Sequence, residues 1–424
     1  MNFISTRDKN LRKTLAEAIH CGLADDGGLF MPEQIPQIDL NYFTGELTYP
    51  LFAERVVHAF FKGDILEHSL SEICQAAFSF AVPLSPLNQN TYLLELFHGP
   101  TLSFKDFGAR FLAECLNKIF DRRKTTIMVA TSGDTGSAVA SAFYRKQNIE
   151  VIILYPKGLI SKRQEQQITC WDQNIRALAV KGTFDDCQGL VKSAFNNPYW
   201  QKHFLLSSAN SINIGRLIPQ ITYYAYSSMQ FYQQHQQTAG YIVPTGNLGN
   251  ATAGYLAKLM GFPIREIILA TNANRVIPDY LQSGIYNPRP SVTTLANAMD
   301  VGNPSNFERL QYLFTTFASF KNQVKAFSVN DEEIRKTIKT VYEHDKKIIC
   351  PHTATACFVR QKLSSEPWII VATADPCKFN TIIEPLIGTS VPIPQQLQLL
   401  LEKPTHILEV ANNLNEIQEI ILSS

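Results

Sequence analysis

The sequence has no excess of charge, no long apolar run and no signal-like start. Its 424 residues carry 38 Lys and Arg against 37 Asp and Glu, so no basic or acidic surplus points to nucleic acid. Apolar runs such as VIILY are far shorter than a membrane span, and the charged start MNFISTRDKN lacks the apolar core of a secretory signal. These absences argue against nucleic-acid-binding and membrane classes and predict a soluble intracellular protein.

The eight cysteines form no C-x-x-C pair and no metal-like cluster. Disulfide frameworks are rare in large intracellular chains, where scattered cysteines are usually reduced and buried. The spacing therefore predicts free thiols in a cytoplasmic protein, and it offers no metal site.

The order of the sequence patterns predicts an α/β protein of three parts. Residues 1–88 show apolar residues at helical spacing and read as a mostly helical N-terminal domain. Beyond them, β-branched apolar runs alternate with helical segments, which favours open, mostly parallel sheets covered by helices. We expect two such domains, at 89–217 and 218–424, with ligands bound where the strands end.

The segment PTGNLGNATAG follows a predicted strand and opens a predicted helix. Its glycines, Gly246 and Gly249, allow close approach of the backbone to an anion, and a helix N-terminus offers free N–H groups. The segment lacks the Lys-Ser/Thr of a P-loop and is not G-x-G-x-x-G, so a lone phosphate monoester fits better than a nucleotide. A plain strand-to-helix turn is the alternative.

Two further loops at predicted strand ends are rich in small polar residues. The loop ATSGDTGSA contains Ser132, Asp134 and Thr135 before a helix, where one of them is expected as an ordinary cap. The loop SSANSINIGR contains Asn213 and then Arg216, which has no acidic neighbour in sequence. The planar fork of arginine suits phosphate or carboxylate, so these loops are candidate seats for an anionic ligand.

Lys105 stands between aromatic residues in SFKDF, at the start of a predicted helix. Such a lysine is either a surface residue with a packed stem or a nucleophile with a lowered pKa. A lysine at a helix start, a phosphate-sized glycine loop and no metal or nucleotide signature together point to pyridoxal phosphate, which needs a Schiff-base lysine and a phosphate cup.

At this point the sequence resembles the threonine synthase family of fold-type II pyridoxal-phosphate enzymes. The resemblance rests on FISTR, DGGLFMPEQIP, FHGPTLSFKDFGARFLA, ATSGDTGSAV, SSANSINIGRLIPQ, PTGNLGNATAGYLAKLMGFP, TLANAMDVGNPSNFERL and TADPCKF, and it covers nearly the whole chain.

The resemblance implies roles for particular residues. Lys105 would hold pyridoxal phosphate as a Schiff base, and Thr373 would face the pyridine nitrogen. Leu248 stands where the family more often has phenylalanine, and Asp375 where it has histidine. The cofactor phosphate would be held by Gly246, Asn247, Leu248, Gly249 and Asn250.

The implied reaction is conversion of O-phospho-L-homoserine and water to L-threonine and phosphate, with Lys105 moving protons. Ser132, Asp134 and Thr135 would orient the substrate, while Asn213 and Arg216 would take its phosphate. Two alternatives stay open: a related pyridoxal-phosphate lyase that acts on a phosphorylated or hydroxylated amino acid without adding water at Cβ, and a non-catalytic binding relative, which the presence of Lys105 disfavours. We expect a cytoplasmic enzyme that is a monomer or a small homo-oligomer.

Overall fold

The structure is a computed structural model that describes residues 1–119 and 124–422. The remaining residues, 120–123 and 423–424, fall within the second and third predicted domains and lie outside this description. Within the described residues, the strands are β1 (Phe3–Ser5), β2 (Arg12–Lys13), β3 (Phe30–Pro32), β4 (Leu84–Asn88), β5 (Thr91–Glu95), β6 (Thr125–Ala130), β7 (Ile149–Pro156), β8 (Ile175–Val180), β9 (Leu205–Ser208), β10 (Ala239–Pro244), β11 (Ile264–Thr271), β12 (Lys325–Ser328), β13 (Trp368–Ala372) and β14 (Ile407–Val410).

The α-helices of the same residues alternate with these strands over much of the chain. They are α1 (Leu15–Cys21), α2 (Tyr49–Phe61), α3 (Leu70–Ala77), α4 (Lys105–Lys118), α5 (Asp134–Phe143), α6 (Lys162–Thr169), α7 (Phe184–Asn196), α8 (Pro198–His203), α9 (Ile214–His235), α10 (Gly249–Leu259), α11 (Val276–Ser283), α12 (Phe307–Leu313), α13 (Phe317–Gln323), α14 (Asp331–Asp345), α15 (Pro351–Arg360), α16 (Asn380–Ile387), α17 (Gln395–Leu401) and α18 (Leu414–Leu422). Short 3-10 helices lie at Leu40–Phe43, Glu67–Ser69, Asn297–Met299 and Pro376–Phe379.

The described strands form three sheets. A six-stranded sheet has the order β12-β11-β10-β13-β5-β4, parallel except for the β4–β5 hairpin, and a five-stranded parallel sheet has the order β14-β8-β7-β6-β9. The central strands β6, β7 and β10 are buried along their whole length. Helices therefore cover both faces, as the continuous apolar runs predicted, and the α/β fold is confirmed.

The predicted domain boundaries do not coincide with the sheets. The boundary at 88/89 falls inside the β4–β5 hairpin, and the one at 217/218 falls inside α9. Strand β5 joins the six-stranded sheet of the C-terminal half, whereas β14, near the C-terminus, joins the five-stranded sheet. These are pairings between segments far apart in the chain, which local composition does not reveal.

The N-terminal part is mostly helical, as predicted, but it also contains the small antiparallel sheet β2-β1-β3. Helix α2 packs on α3 and α9, so this part shares the central apolar core. Among the described cysteines, all eight are free and seven are buried, as the spacing predicted. No helix within the described ranges is long and apolar enough to cross a membrane.

The fold brings several strand ends together with the helix starts that follow them. Helix α5 follows β6, α9 follows β9, and α10 follows β10, each after a short loop. A cleft of about 920 Å³ opens beside these loops, bordered by Ala130, Ser208, Asn210 and Asn247. The predicted polar loops therefore lie where an open α/β fold binds ligands.

Candidate active site

Lys105 begins α4 and lies beside the segment that follows β13. The backbone N–H of Phe104 donates to the carbonyl of Thr373 at 2.9 Å, and the N–H of Asp375 donates to the carbonyl of Leu102 at 3.0 Å. These two hydrogen bonds hold the chain before Lys105 against the chain that carries Thr373. The structure thus brings the predicted Schiff-base lysine and the predicted pyridine partner together.

The surroundings of Lys105 lower the pKa of its amine to about 8. Burial is the main cause, and the positive charges of Arg216 and Lys378 add to it, while Asp134 opposes them. The Nζ atom lies 4.7 Å from the centre of the Phe104 ring. A lowered pKa supplies the neutral amine that a nucleophilic lysine needs, which favours the second of the two interpretations of this residue.

In the loop between β10 and α10, the left-handed backbone falls on Leu248, whose φ is 62°, and not on Gly246 or Gly249. Gly246 is instead required by close packing, because a Cβ there would lie 2.7 Å from the backbone of Met299. The side chain of Leu248 is buried in the core, so the backbone of this loop is fixed at the start of α10.

Two asparagines of this loop use their side chains in different ways. The Oδ1 atom of Asn250 accepts hydrogen bonds from Tyr223 and Tyr224, both at 2.7 Å, which leaves its buried Nδ2 without a partner. Asn247 instead donates to the hydroxyl of Ser211 at 2.7 Å and accepts from the backbone N–H of Ser305. Asn250 therefore offers an unused donor, whereas the Asn247 side chain ties neighbouring loops together.

In the loop after β6, a residue other than the predicted ones does the capping. The hydroxyl of Thr131 accepts from the backbone N–H groups of Gly133 at 3.0 Å and Gly136 at 2.8 Å. Ser132 and Thr135 are partly exposed at the end of the strand. Because Thr131 takes the capping role, their hydroxyls are not needed for it, and their predicted contact with substrate stays a prediction.

Asp134, also predicted to orient the substrate, is one half of a buried ion pair. Its carboxylate lies 2.7 Å from the ammonium of Lys378, which is fully buried, and accepts from the amide of Gln164 at 2.9 Å. Burial alone would raise the pKa of Asp134, but Lys378 and its hydrogen bonds outweigh burial and hold the pKa below its usual range. The carboxylate is therefore ionised and fixed.

Asn213 and Arg216 differ in how many of their polar atoms are already satisfied. The amide of Asn213 donates to the carbonyls of Ile19 and Ser208 and accepts from Gly215 at the N-terminus of α9. This set of bonds indicates a residue that shapes the loop, and its predicted contact with phosphate is untested.

Arg216 is 2% exposed and donates to the carbonyl of Ala209, but its buried Nε has no partner. Among the described residues, no carboxylate lies within 4.0 Å of its guanidinium. Burial lowers the pKa of Arg216 to about 10, so the group is still a cation at neutral pH. A buried cation with an unused donor suits a site for an anion.

Sequence reasoning missed several buried polar residues of the site. Lys378, Gln164 and His352 are buried around Asp134, and Arg309 is buried behind the loops. Each is a single polar residue within a helix or helical turn, and one such residue does not alter the apolar periodicity from which the helix is predicted. Only for Lys378 was there a clue, since it lies five residues after Thr373 in the segment TADPCKF.

The residues present fit pyridoxal phosphate. A lysine of lowered pKa lies beside the segment of Thr373, and a helix N-terminus carries the unpaired Asn250 donor. The three cations Lys105, Arg216 and Lys378 outnumber the two buried carboxyls near them, Asp134 and Asp106. This surplus of positive charge calls for anionic ligands. The fold and the site together define the class: pyridoxal-phosphate enzymes of fold type II.

Comparison with known proteins gives the family within this class. The model of the pyridoxal-phosphate dependent enzyme family matches residues 81–373, and models named threonine synthase N terminus and threonine synthase, C-terminal match 2–78 and 351–421. The threonine synthase of Haemophilus influenzae is 40% identical over the full length of both chains. The crystal structure of threonine synthase from Escherichia coli superposes with a TM-score of 0.94 at 36% identity, with 100% of both chains covered.

A PLP-bound threonine synthase from Brucella melitensis also matches, with a TM-score of 0.91 at 32% identity, over 99% of this chain and 98% of that one. The chain therefore belongs to the threonine synthase family of pyridoxal-phosphate-dependent enzymes.

Proposed function

We propose that this enzyme converts O-phospho-L-homoserine and water to L-threonine and phosphate in threonine biosynthesis. The observation that carries the proposal is that one site contains two places suited to bind an anion. One is the N-terminus of α10 with the unpaired Nδ2 of Asn250, and the other is the guanidinium of Arg216 with its unpaired Nε. Two seats match one cofactor phosphate and one substrate phosphate. The reaction balances, because the elements of water replace the phosphate that leaves.

Pyridoxal phosphate, when bound, supplies an electron sink for negative charge at the substrate Cα. The backbone N–H groups after Leu248, together with Asn250, would bind its phosphate, and Thr373 would face its ring nitrogen. A hydroxyl there does not hold the nitrogen protonated as a carboxylate would, which favours elimination and replacement over reprotonation on the cofactor.

Lys105 does the proton transfers. Its amine, with a pKa of about 8, takes the proton from the substrate Cα, and as general base and acid it moves protons at Cβ and to Cγ, which becomes the methyl group of threonine. Arg216 binds the substrate phosphate that leaves from Cγ, and Asn213 shapes the loop that carries Arg216. Ser132, Asp134 and Thr135 orient the rest of the substrate, with Asp134 held in place by Lys378.

The test is a product analysis. Purified enzyme with O-phosphohomoserine should release threonine and phosphate in equal amounts. Phosphate with an oxo acid and ammonia would identify a related lyase that adds no water at Cβ, since there the water hydrolyses the C–N bond at Cα. Protein that binds the cofactor but releases no phosphate would identify a non-catalytic relative.

We further propose that the enzyme works in the cytoplasm as a monomer or a small homo-oligomer. Support for a reducing compartment comes from the free cysteines of the described chain, seven of them buried. Localisation of a tagged chain and light scattering of the purified protein test the two statements.

A further inference from the structure

Arg309, on α12, is a buried cation that the reaction as proposed does not use. It is 0% exposed, and among residues 1–119 and 124–422 no carboxylate lies within 4.0 Å of its guanidinium. Burial lowers the pKa of Arg309 to about 9, which still leaves it charged at neutral pH. Burying a charge without a counter-ion costs free energy, so the hydrogen bonds of the Arg309 guanidinium must compensate for its lost hydration.

The guanidinium of Arg309 gathers three separate parts of the chain. Its Nη1 donates to the carbonyl of Ser211 at 2.9 Å, and its Nη2 donates to the carbonyl of Ile212 at 2.6 Å. Nε and Nη2 donate to the carbonyl of Phe30 at 3.3 and 3.2 Å. The first two carbonyls belong to the loop that precedes α9 and leads to Arg216, which we call the substrate loop (residues 209–213).

Asn306 links Arg309 to the loop proposed to bind the cofactor phosphate. Its Oδ1 accepts from Arg309 Nη1 at 2.6 Å. Its Nδ2 donates both to the hydroxyl of Ser211 at 3.1 Å and to the carbonyl of Asn247 at 2.9 Å. Asn247 belongs to the loop between β10 and α10, which we call the phosphate loop (residues 245–250).

The two loops also meet directly. Nδ2 of Asn247 donates to the hydroxyl of Ser211 at 2.7 Å, so Ser211 accepts from both asparagines. This hydroxyl, Asn306 and Arg309 form one continuous set of hydrogen bonds that reaches both loops. Apart from Asn247, a predicted cofactor-binding residue, the side chains in this set have no other described function, and a purely local role would not require the bonds to span two loops.

We infer that Arg309 is a positioning residue that, through Asn306 and Ser211, fixes the phosphate loop and the substrate loop in one arrangement. Damage to this set of bonds disturbs cofactor binding and substrate binding together, although neither ligand touches Arg309. The inference rests on the proposed function in one respect: the loop that leads to Arg216 is taken to seat the substrate.

The central variant is Asn306→Ala, which removes the two hydrogen bonds that Asn306 donates and the one that it accepts from Arg309, and keeps Arg309 itself. Because these bonds hold the phosphate loop in place, the pyridoxal-phosphate Kd of the apoenzyme, measured by absorbance titration, should rise about tenfold. At saturating cofactor, KM for O-phosphohomoserine should also rise about tenfold, while kcat should stay within about threefold of wild type.

Asn303→Ala is the matched control. Asn303 precedes the same helix, but among the described residues its side chain accepts only from the hydroxyl of Tyr286, at 2.9 Å, and makes no hydrogen bond to either loop. Both Kd and KM should match wild type. Arg309→Lys keeps the charge but has a single nitrogen that cannot span three carbonyls, so it should exceed the effects of Asn306→Ala.

Ser211→Ala tests the link itself, and it serves if Arg309→Lys does not fold. The Ser211 hydroxyl and Asn306 share a hydrogen bond, so their effects should not be independent. The factor by which Ser211→Ala/Asn306→Ala raises the cofactor Kd should be smaller, by about threefold or more, than the product of the factors for the two single variants. Multiplicative effects would overturn the inference.

The inference is also overturned if Asn306→Ala lowers only the melting temperature, with Kd and KM unchanged, or if only one of the two constants moves. The proposed function is judged separately, on threonine formation by the wild-type enzyme, and the cofactor Kd values are measured without substrate. The two experiments therefore distinguish an error in the proposed function from an error in the role of Arg309.

Discussion

At the scale of single residues, the site is defined by cations that lack partners. The charge of Arg216 helps to lower the pKa of the nearby Lys105, whereas burial lowers the pKa of Arg216 and Asp106 opposes that shift. Such an arrangement destabilises the chain without ligand and is stabilised when anions bind. The residue chemistry therefore favours one lysine that is readily neutral and one arginine that stays charged.

The pKa of Lys105 predicts how the apoenzyme takes up its cofactor. Only the neutral amine attacks the aldehyde, and below a pKa of about 8 its fraction rises about tenfold per pH unit. The initial rate of cofactor incorporation, followed by absorbance from pH 6 to 10, should rise and then level off near pH 8. A rate that climbs to pH 10 would mean that Lys105 keeps an ordinary pKa. Lys105→Ala should show no protein-bound band.

Arg216→Ala should separate the two anion seats. A charge-assisted hydrogen bond is worth about 1.5–3 kcal/mol, so kcat/KM for O-phosphohomoserine should fall at least about tenfold. Inhibition by free phosphate should weaken in parallel, and cofactor content should stay full because Lys105 and the phosphate loop hold that ligand. Arg275→Ala, which removes an exposed arginine paired with Asp279, is the control. Loss of cofactor with unchanged KM would reverse the assignment of the seats.

At the scale of elements, the phosphate loop depends on close packing against the 3-10 helix Asn297–Met299. Gly246→Ala would bring a Cβ to 2.7 Å from the Met299 backbone, so one of the two segments must shift. We expect the cofactor Kd to rise about tenfold or more, since a displacement of that size costs about 1–3 kcal/mol. Cofactor titration of the apoenzyme measures it.

Gly189→Ala is the control for that experiment. Gly189 lies in α7, where an added Cβ meets nothing within 4 Å, and alanine favours a helix over glycine by about 0.5–1 kcal/mol. This variant should keep the wild-type cofactor Kd and melt slightly higher. An unchanged cofactor Kd for Gly246→Ala would show that the Met299 backbone can move to accommodate the added Cβ without weakening cofactor binding.

The elements predicted from the sequence are those with a strong repeating pattern. The buried run TTIMVA is β6, and the start of α10 after YIVP lies where the glycine loop indicated. Strands of two or three residues, such as β1 and β2, show no alternation and were missed. Lys105 and the phosphate loop stood out because they interrupt such patterns. Lys378 and Arg309 did not, because their partners lie far away in sequence.

At the scale of the whole molecule, the two large sheets meet through buried polar contacts beside Lys105. Asp134 begins the helix after β6 of the five-stranded sheet, and Lys378 follows β13 of the six-stranded sheet. Lys378 also donates to the carbonyl of Thr101 at 2.9 Å, in the segment that leads to Lys105. The ion pair therefore joins the two halves of the fold at the site.

Lys378→Met should destabilise the apoenzyme strongly, because it leaves Asp134 buried without its partner. Removing one member of a buried pair costs about 3–5 kcal/mol, whereas neutralising both is close to harmless. Urea unfolding at pH 7 should show a large fall in midpoint for Lys378→Met and recovery of most of it in Asp134→Asn/Lys378→Met.

The control is Lys325→Met, which breaks the more exposed pair of Lys325 with Glu266 and should cost less than about 1 kcal/mol.

The stabilisation by the Asp134–Lys378 pair should depend on pH with a definite sign. The pKa of Asp134 lies below its usual value in the folded chain, so the pair stabilises fully above about pH 4 and less as pH falls further. The deficit of Lys378→Met should accordingly be complete at pH 7 and shrink toward pH 3. A double variant no more stable than Lys378→Met would show that Lys378 stabilises the fold through Thr101, and that the charge of Asp134 matters little.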